Sequence, residues 1–479
     1  MAKITPSKSE ILAQQELIKT LTNALEKQAK IQGRVYSFIA AQGSTGEKQT
    51  QLRDAADIDL FVGLKPDDYS EILSLSATER HRALDVMLDD IVEKWFILSV
   101  QELDVHDMLK TFSQHPYLSL KMDRFDIDIL CCFDISQAEI LSKGPITAVD
   151  RTVHHSRHIA ANLTEKMRED VRLLKSFVRA SHAYGDMCAV GRMGFTGYAL
   201  ELLVVAAGSL DGALKALAAL GQAPHDPLSR SLEQLRKVPA FRDDIIFIID
   251  PVDTERNVAS SFSPRAYRWL KKRIQDIRSE EKAGKHKVVM DAFLESPIPT
   301  GTLPDWLVPH ALAYEFTSDG SVHYTVLRDK LYRLARKVSL QLKRERTGEL
   351  RFGNVLTEVY FEDATFSIGF LVESPAAEES YERKGPPVDL TEGAKEFRRT
   401  HKKVSERDGF LWTIERREWT DAFVLADNIV NRSPINGLAR SPDRGKVSAR
   451  VLNALYLYAV PVESILLEQW QGFKEQSTE

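Results

Sequence analysis

Cysteine is scarce in this chain: there are three in 479 residues, and two of them (Cys131, Cys132) are adjacent. So few thiols cannot form a disulfide framework, which points to a reducing compartment and an expected cytoplasmic location. Long apolar runs are missing too. The most apolar stretch, Ala199 to Gly208, is about half the roughly 18 residues of a membrane span, so no membrane partner is expected. The first residues, Met-Ala-Lys-Ile-Thr-Pro-Ser-Lys-Ser-Glu, lack the apolar centre of a signal peptide. Internal repeats and low-complexity tracts are absent, and neither sign of charge dominates, the formal net charge being −5. What is present is ordinary globular material, 43% hydrophobic and 28% charged. It is long enough for about three or four domains.

Whole-chain charge hides a local excess. Between Leu327 and Arg351 nine basic residues (Arg328, Lys330, Arg333, Arg336, Lys337, Lys343, Arg344, Arg346, Arg351) face three acids, Asp329, Glu345 and Glu349. A basic stripe on an acidic protein is compatible with a phosphate-binding face, although such a stripe is often only a solvated helix surface.

The hydrophobic period divides the chain. Glu10 to Gln32 reads as an amphipathic helix on Ile11, Leu17, Leu21 and Leu25, with Ser7 or Ser9 as its cap and Gly33 as its stop. Strands are expected at Val35 to Ala41, Ile58 to Val62, Tyr117 to Met122 and Phe125 to Phe133, and a helical pattern over Ala77 to Val100. Together they make a small α/β sheet domain ending near Ser142. Thr152 to about Lys237 is helical throughout. Asp244 to Asp250, with its Ile-Ile-Phe-Ile-Ile core, reads as a buried strand, and Ser263 to Ala283 as a long charged helix. After Pro297, Pro299 and Pro304 come a strand (Ala311 to Thr317), a basic helix (Tyr324 to Arg346) and two strands (Val355 to Glu362, Thr365 to Glu373). Gly385-Pro386-Pro387 is expected to close this unit, and helix, strand and helix to finish the chain.

Chemistry concentrates in the first domain. In Asp57-Ile58-Asp59 the acids stand two apart on a strand, so both point to one face. Carboxylates that close repel unless a cation lies between them, and Mg²⁺, a hard ion taking oxygen ligands and substrate phosphates, is the natural occupant. A third carboxylate would come from the strand Phe125-Asp126-Ile127-Asp128-Ile129; by parity alone, Asp126 and Asp128 both qualify. Such a set suits a two-metal site for phosphoryl transfer. Gly43-Ser44, at the end of the preceding strand, lets backbone approach a triphosphate, and the Ser hydroxyl and amides can hold it.

These motifs resemble the nucleotidyltransferase superfamily of DNA polymerase β and the poly(A) polymerases, and more narrowly the archaeal-type (class I) CCA-adding enzymes. Gly43-Ser44, Leu52 and Asp57-Ile58-Asp59 are similar to that family's head motif; Lys48 falls where the family has an arginine on the triphosphate, with one extra residue between Ser44 and Lys48. Asp128-Ile129-Leu130-Cys131-Cys132-Phe133 resembles its Asp-Val-Val-Pro-Cys-Tyr segment, which registers the third ligand on Asp128. Thr147 to Thr152 followed by His155 resembles the entry to its neck. Lys175 and Tyr184 then fall at triphosphate positions and Arg256 where the base edge is read. Gly194 to Tyr198 with Glu201-Leu202-Leu203, Asp250-Pro251-Val252-Asp253, Phe293 to Pro297 and Gly385-Pro386-Pro387-Val388 carry the likeness almost to the C-terminus.

The resemblance implies an α+β multidomain chain. Its parts would be a polymerase β-like nucleotidyltransferase head (1–142), a helical base-recognising neck (143–258), a body (259–296 and 386–479) and a tRNA-binding tail (297–385). It implies addition of C, C and A to tRNA from CTP and ATP. The catalytic and metal residues would be Asp57, Asp59 and Asp128 with Mg²⁺. The nucleotide-binding residues would be Gly43, Ser44, Lys48, Thr152, His155, Lys175, Tyr184 and Arg256. The partner would be tRNA, held by its acceptor and TΨC arms, and the family often dimerises. Poly(A) polymerases and oligoadenylate synthetases share the carboxylates, but the neck and Gly-Pro-Pro-Val motifs argue against them. Intact carboxylates argue against an inactive RNA-binding module. His154, His155 and His158 suggest zinc only weakly, with no cysteine or carboxylate beside them. Gly191-x-x-Gly194-x-x-Gly197 lacks the dinucleotide Gly-x-Gly core and reads as close packing at a helix break.

Overall fold

The computed structural model describes residues 1–55, 57–112 and 115–463. They form two compact units, one made of 1–185, 195–262 and 273–295, the other of 186–194, 263–272 and 296 onward.

In the first unit, helix α1 (Lys8–Gln32) starts where the Ser7 hydroxyl accepts from Glu10 N and ends at Gly33 in the left-handed conformation. This is the cap and stop expected from sequence. It leads into β1 (Phe38–Gln42) and β2 (Ile58–Leu64), then α2 (Ser70–Leu73) and α3 (Ala77–Ile91), which continues through a π turn into α4 (Ile97–Val100). Three antiparallel strands follow: β3 (His106–Phe112), β4 (Pro116–Met122) and β5 (Phe125–Phe133). The sheet order is β1-β2-β5-β4-β3, and only the β2–β5 pair within it is parallel. Strand β3 was not foreseen: it is an edge strand, mostly exposed, and carries no apolar alternation.

The period of two decides which face is core. Ile58, Leu60, Val62 and Leu64 of β2 and Ile127, Ile129, Cys131 and Phe133 of β5 pack under α1, α3 and the π turn that follows it, whose Leu21, Leu25, Leu88, Trp95 and Phe96 are buried. The Trp95 indole N–H donates to Leu25 O at 2.8 Å, which ties the helices together. The alternate residues, Asp59 and Asp128 among them, are thereby forced onto the opposite face.

The rest of this unit is helical: α5 (Gln137–Lys143), α6 (Arg151–Asn162), α7 (Glu165–Ala180), α8 (Gly197–Ala207), α9 (Leu210–Ala219) and α10 (Leu232–Arg236), with α12 (His286–Asp291) after the long α11 (Pro264–Lys282). No single helix among the described residues is long and apolar enough to cross a membrane; apolar α8 and α9 meet at 114° and bury Leu200, Leu202, Leu203, Leu214 and Leu217. The strand expected over Asp244 to Asp250 is a correction. Phe247 to Ile249 are fully buried, but only isolated bridges form, His225 with Ile248 and Ile249 with Asn257. A buried apolar run in a helical surrounding lacks a ladder partner, and periodicity alone does not reveal that.

The second unit carries two sheets. One has the order β12-β6-β8-β7, from β6 (Ala311–Ser318), β7 (Val355–Glu362), β8 (Thr365–Val372) and β12 (Leu438–Arg440). Helices α13 (Tyr324–Lys343) and α15 (Ala422–Asn431) cover it through Leu327, Leu331, Val338, Leu425 and Ile429. The other sheet, β10-β11-β9, uses β9 (Ser380–Pro387), β10 (Val404–Arg407) and β11 (Phe410–Arg416) under α14 (Thr391–Thr400). Helix α16 (Lys446–Ala454) completes the unit.

Gly385-Pro386-Pro387 therefore lies inside a strand, not at a closing linker, and the boundary drawn at 385/386 crosses β9. Prolines fit because β9 is an edge strand and their missing N–H breaks no second ladder. Glycine is required at 385 because a Cβ there would stand 2.7 Å from the Phe397 ring.

Candidate active site

The site grows from the parallel seam of the first unit. Asp59 on β2 is in register with Asp128 on β5, so the two carboxylates are neighbours on one face. Ser119 lies opposite Asp128 on β4. Asp57 precedes β2 and is exposed. Asp126, the rival by parity, points outward beside Lys121 at 3.6 Å.

Burial pushes the Asp128 carboxyl up to about 7, and the charges of Asp59, Asp57 and Asp126 add to this against a hydrogen bond from Ser119. Burial likewise raises the Asp59 pKa, opposed by the Lys48 ammonium. Desolvated, mutually repelling carboxylates are the donor set that a hard divalent cation relieves. Among the described residues no three His, Cys, Asp or Glu side chains converge into a ready ligand cluster. Asp59 and Asp128 are brought together, while Asp57 stands at the strand mouth. Two of the three neighbouring histidines are engaged within the protein: His154 Nε2 donates to Ile135 O and His155 Nε2 to Asp250.

The turn after β1 lies over these acids. Gly43 has φ +66°, and a Cβ on it would come within 2.5 Å of Asp59 Oδ2. Gly43→Ala should cost about 1–2 kcal/mol for the left-handed backbone and displace Asp59. Any reaction carried out at these acids should then slow about a hundredfold, well beyond what the shift in melting temperature explains. The turn closes where Thr50 N donates to Ser44 O at 3.1 Å, and Thr45 Oγ1 reaches Asp57 O at 3.3 Å. Ser44 is half-buried on its rim.

Behind the turn lies a polar cluster centred on a buried glutamate to which no sequence motif gives a role. Glu201 on α8, 1% exposed, accepts from Lys48 Nζ at 2.7 Å, Lys175 Nζ at 2.7 Å and Thr50 Oγ1 at 2.6 Å. Two guanidiniums of α7 grip the same turn by its carbonyls: Arg168 on Lys48 O, Arg172 on Gln49 O and Gln51 O. The Tyr184 hydroxyl and Lys175 lie beside Gly197, where a Cβ would meet them at 2.8 and 3.2 Å.

A second cluster adjoins it. Asp250, fully buried, accepts from His155 Nε2 at 2.7 Å, Arg256 at 2.9 Å and the Tyr198 hydroxyl at 2.9 Å. His155 stacks on the Tyr198 ring with centroids 4.1 Å apart, and Lys48 Nζ is 5.9 Å from the same ring. Burial would raise the Asp250 pKa, but the His155 hydrogen bond and the charges around it hold the carboxyl well below its usual range. Burial lowers the His155 pKa against the pull of Asp250, so the ring is held neutral. Thr152 stands half-buried one turn before His155 on α6. Arg151 pairs with Asp253 at 2.6 Å.

Lys48, His155, Lys175, Tyr184 and Arg256 are thus assembled around two buried carboxylates. A signal for both was legible: one acid inside the apolar run of α8, and one closing Ile-Ile-Phe-Ile-Ile. A charge so placed is costly unless partnered.

Residues 169–284 match the family model described as tRNA nucleotidyltransferase, second domain. The CCA-adding enzyme of Methanothermobacter thermautotrophicus is 31% identical over 54% of this chain and 51% of its own length. That of Saccharolobus shibatae is 26% identical over 81% and 83%; that of Thermoplasma acidophilum is 26% identical over 85% and 83%. The Methanothermobacter match thus spans about half of that relative. Among solved structures, a cytoplasmic RNA terminal U-transferase is 14% identical over 62% of this chain and 96% of its own, with a TM-score of 0.45.

Proposed function

We infer that this chain, similar to archaeal CCA-adding enzymes and, over residues 169–284, to the second domain of tRNA nucleotidyltransferases, is an archaeal-type CCA-adding tRNA nucleotidyltransferase. In this reading it adds C, C and A to the 3′ end of tRNA from CTP and ATP without a nucleic-acid template. The observation that carries the reading is the Asp59–Asp128 register beneath the Gly43 turn. The region 1–142 acts as the catalytic head and 143–258 as the neck that meets the base.

Asp57, Asp59 and Asp128 would hold two Mg²⁺ ions, which when bound neutralise phosphate charge and acidify the attacking hydroxyl. The tRNA 3′-OH attacks the α-phosphate in line, and pyrophosphate leaves. Asp128, in register beside Asp59, would take the hydroxyl proton. Gly43, Ser44 and Lys48 face the triphosphate, with Thr152, His155 and Tyr184 toward the nucleotide. Arg256 presents fixed planar donors to the base edge. Positioning and charge neutralisation dominate such transfers.

In the second unit, Arg333, Arg336 and Lys343 of α13 line a cleft of about 700 Å³ together with Arg192 and Arg265. This supports phosphate contacts along the acceptor and TΨC arms. Parts of the basic stripe serve the fold instead: Arg328 pairs with Asp186 at 3.1 Å, and Arg351 pairs with Glu345.

The test is incorporation. With magnesium, tRNA lacking its 3′ end and labelled CTP or ATP, the expected product is tRNA ending in C-C-A. Long A tails with no C would overturn the assignment.

A further inference from the structure

We infer that Arg172, with Arg168, is a positioning residue: the two guanidiniums of α7 hold the carbonyls of the 48–51 turn and thereby set where Lys48 points. The inference rests on the reading above, in which that lysine faces the triphosphate.

Between β1 and β2 the described residues form no helix or strand. Two backbone hydrogen bonds close the turn there, Gln49 N to Gly46 O at 3.3 Å and Thr50 N to Ser44 O at 3.1 Å. Gln49 also sits at φ +49°, left-handed backbone in which an L side chain is strained. Such a residue keeps that conformation only where its surroundings hold it.

The hold comes from α7. Arg168 and Arg172 stand four apart on that helix and share a face. Arg168 Nε donates to Lys48 O at 3.2 Å. Arg172 Nη2 donates to Gln49 O at 2.6 Å and its Nε to Gln51 O at 3.3 Å, so one guanidinium bridges from the strained residue to the second one beyond it. Three carbonyls of one turn are thus gripped from a single helix face. A gripped carbonyl fixes its peptide plane, and that plane fixes the direction in which the adjoining side chain leaves. Lys48 is the side chain so directed, and its Nζ ends 5.9 Å from the centre of the Tyr198 ring.

Arg172 is 7% exposed. A guanidinium that deep is costly unless its N–H groups are met. Its planar fork meets two carbonyls at once, where a lysine would offer a single point charge. An apolar side chain would fill the same space; what the guanidinium adds is the grip on the turn.

Equilibrium binding of CTP, ATP, CMP and AMP to the full chain in magnesium tests this with Arg172→Met, Arg172→Lys, Lys48→Met and the double variant of Arg172→Met with Lys48→Met. Arg172→Met should weaken CTP and ATP about tenfold, as a displaced binding group does, and leave CMP and AMP within about twofold. Arg172→Lys, which keeps the charge and loses the fork, should recover little of that loss. The double variant should bind CTP no more weakly than Lys48→Met alone, because Arg172 acts through Lys48. In steady state, KM for both nucleotides should rise more than kcat falls. Arg168→Met, on a side chain 24% exposed, should act in the same direction and carries the test if Arg172→Met does not fold.

Equal weakening of monophosphates and triphosphates would overturn the inference, since Arg172 would then merely support the fold. So would full recovery in Arg172→Lys, or a loss in the double variant beyond that of Lys48→Met. A wild-type chain that binds CTP and ATP but extends no tRNA would instead defeat the functional reading and leave the clamp standing.

Discussion

Asp59→Ala and Asp128→Ala are each expected to reduce incorporation of C and A by on the order of a thousandfold, while tRNA binding stays nearly intact. The two residues face each other across one parallel register, with their backbones fixed by ladders on both sides. Loss of either carboxylate therefore leaves the sheet in place and removes a donor that no neighbour replaces. Asp126 cannot substitute, since it turns outward toward Lys121. Stability should not drop, because each variant removes one of two repelling, desolvated charges. Single-turnover incorporation and a tRNA filter-binding assay, run with a thermal melt, check all three parts. Near-normal turnover in either variant would remove that residue from the site.

Asp250→Ala has the largest expected effect on folding, a loss of about 3 kcal/mol. Deleting one member of a buried charge pair costs about 3–5 kcal/mol, and the low end applies here because Arg256 keeps 37% of its side chain in water. The vacancy also strands the His155 N–H and the Tyr198 hydroxyl, both of which end on Asp250. Urea denaturation gives the stability change directly. The His155 ring, no longer fixed against Tyr198, should raise KM for both nucleotides. A stability change under 1 kcal/mol would mean that Asp250 does not hold these groups together.

Legibility followed burial. Helix α1 was readable end to end because its stripe, cap and stop agree, and the acidic strands were readable because a two-residue period puts apolar and acidic positions on opposite faces. Strand β3 was not, since an exposed edge needs no apolar signature. The Ile-Ile-Phe-Ile-Ile run and Gly385-Pro386-Pro387 misled for related reasons: apolarity records burial without naming a partner, and proline records an absent donor without saying whether the chain turns or runs along an edge.

In the site, Asp57 and Asp59 announced themselves by spacing, while only the resemblance separated Asp128 from Asp126. Glu201 and Asp250 did not announce their roles, because each works through residues far away in sequence. Lys175 illustrates the limit. The resemblance implies a triphosphate contact for it, and nothing in its local sequence signals that its ammonium also donates to Glu201 and Thr50.

The single parallel seam of the five-stranded sheet has a consequence for how the protein is made. Strands β1 and β2 can pair as one local piece, and β3, β4 and β5 as another, each from neighbouring chain. Asp59 belongs to the first piece and Asp128 to the second. They meet only when the long crossover through α3 and α4 brings β5 alongside β2, a late event for so non-local a pairing. A half-folded chain would hold one acid or the other but not the pair. Closure of the sheet and juxtaposition of the two acids are then the same step.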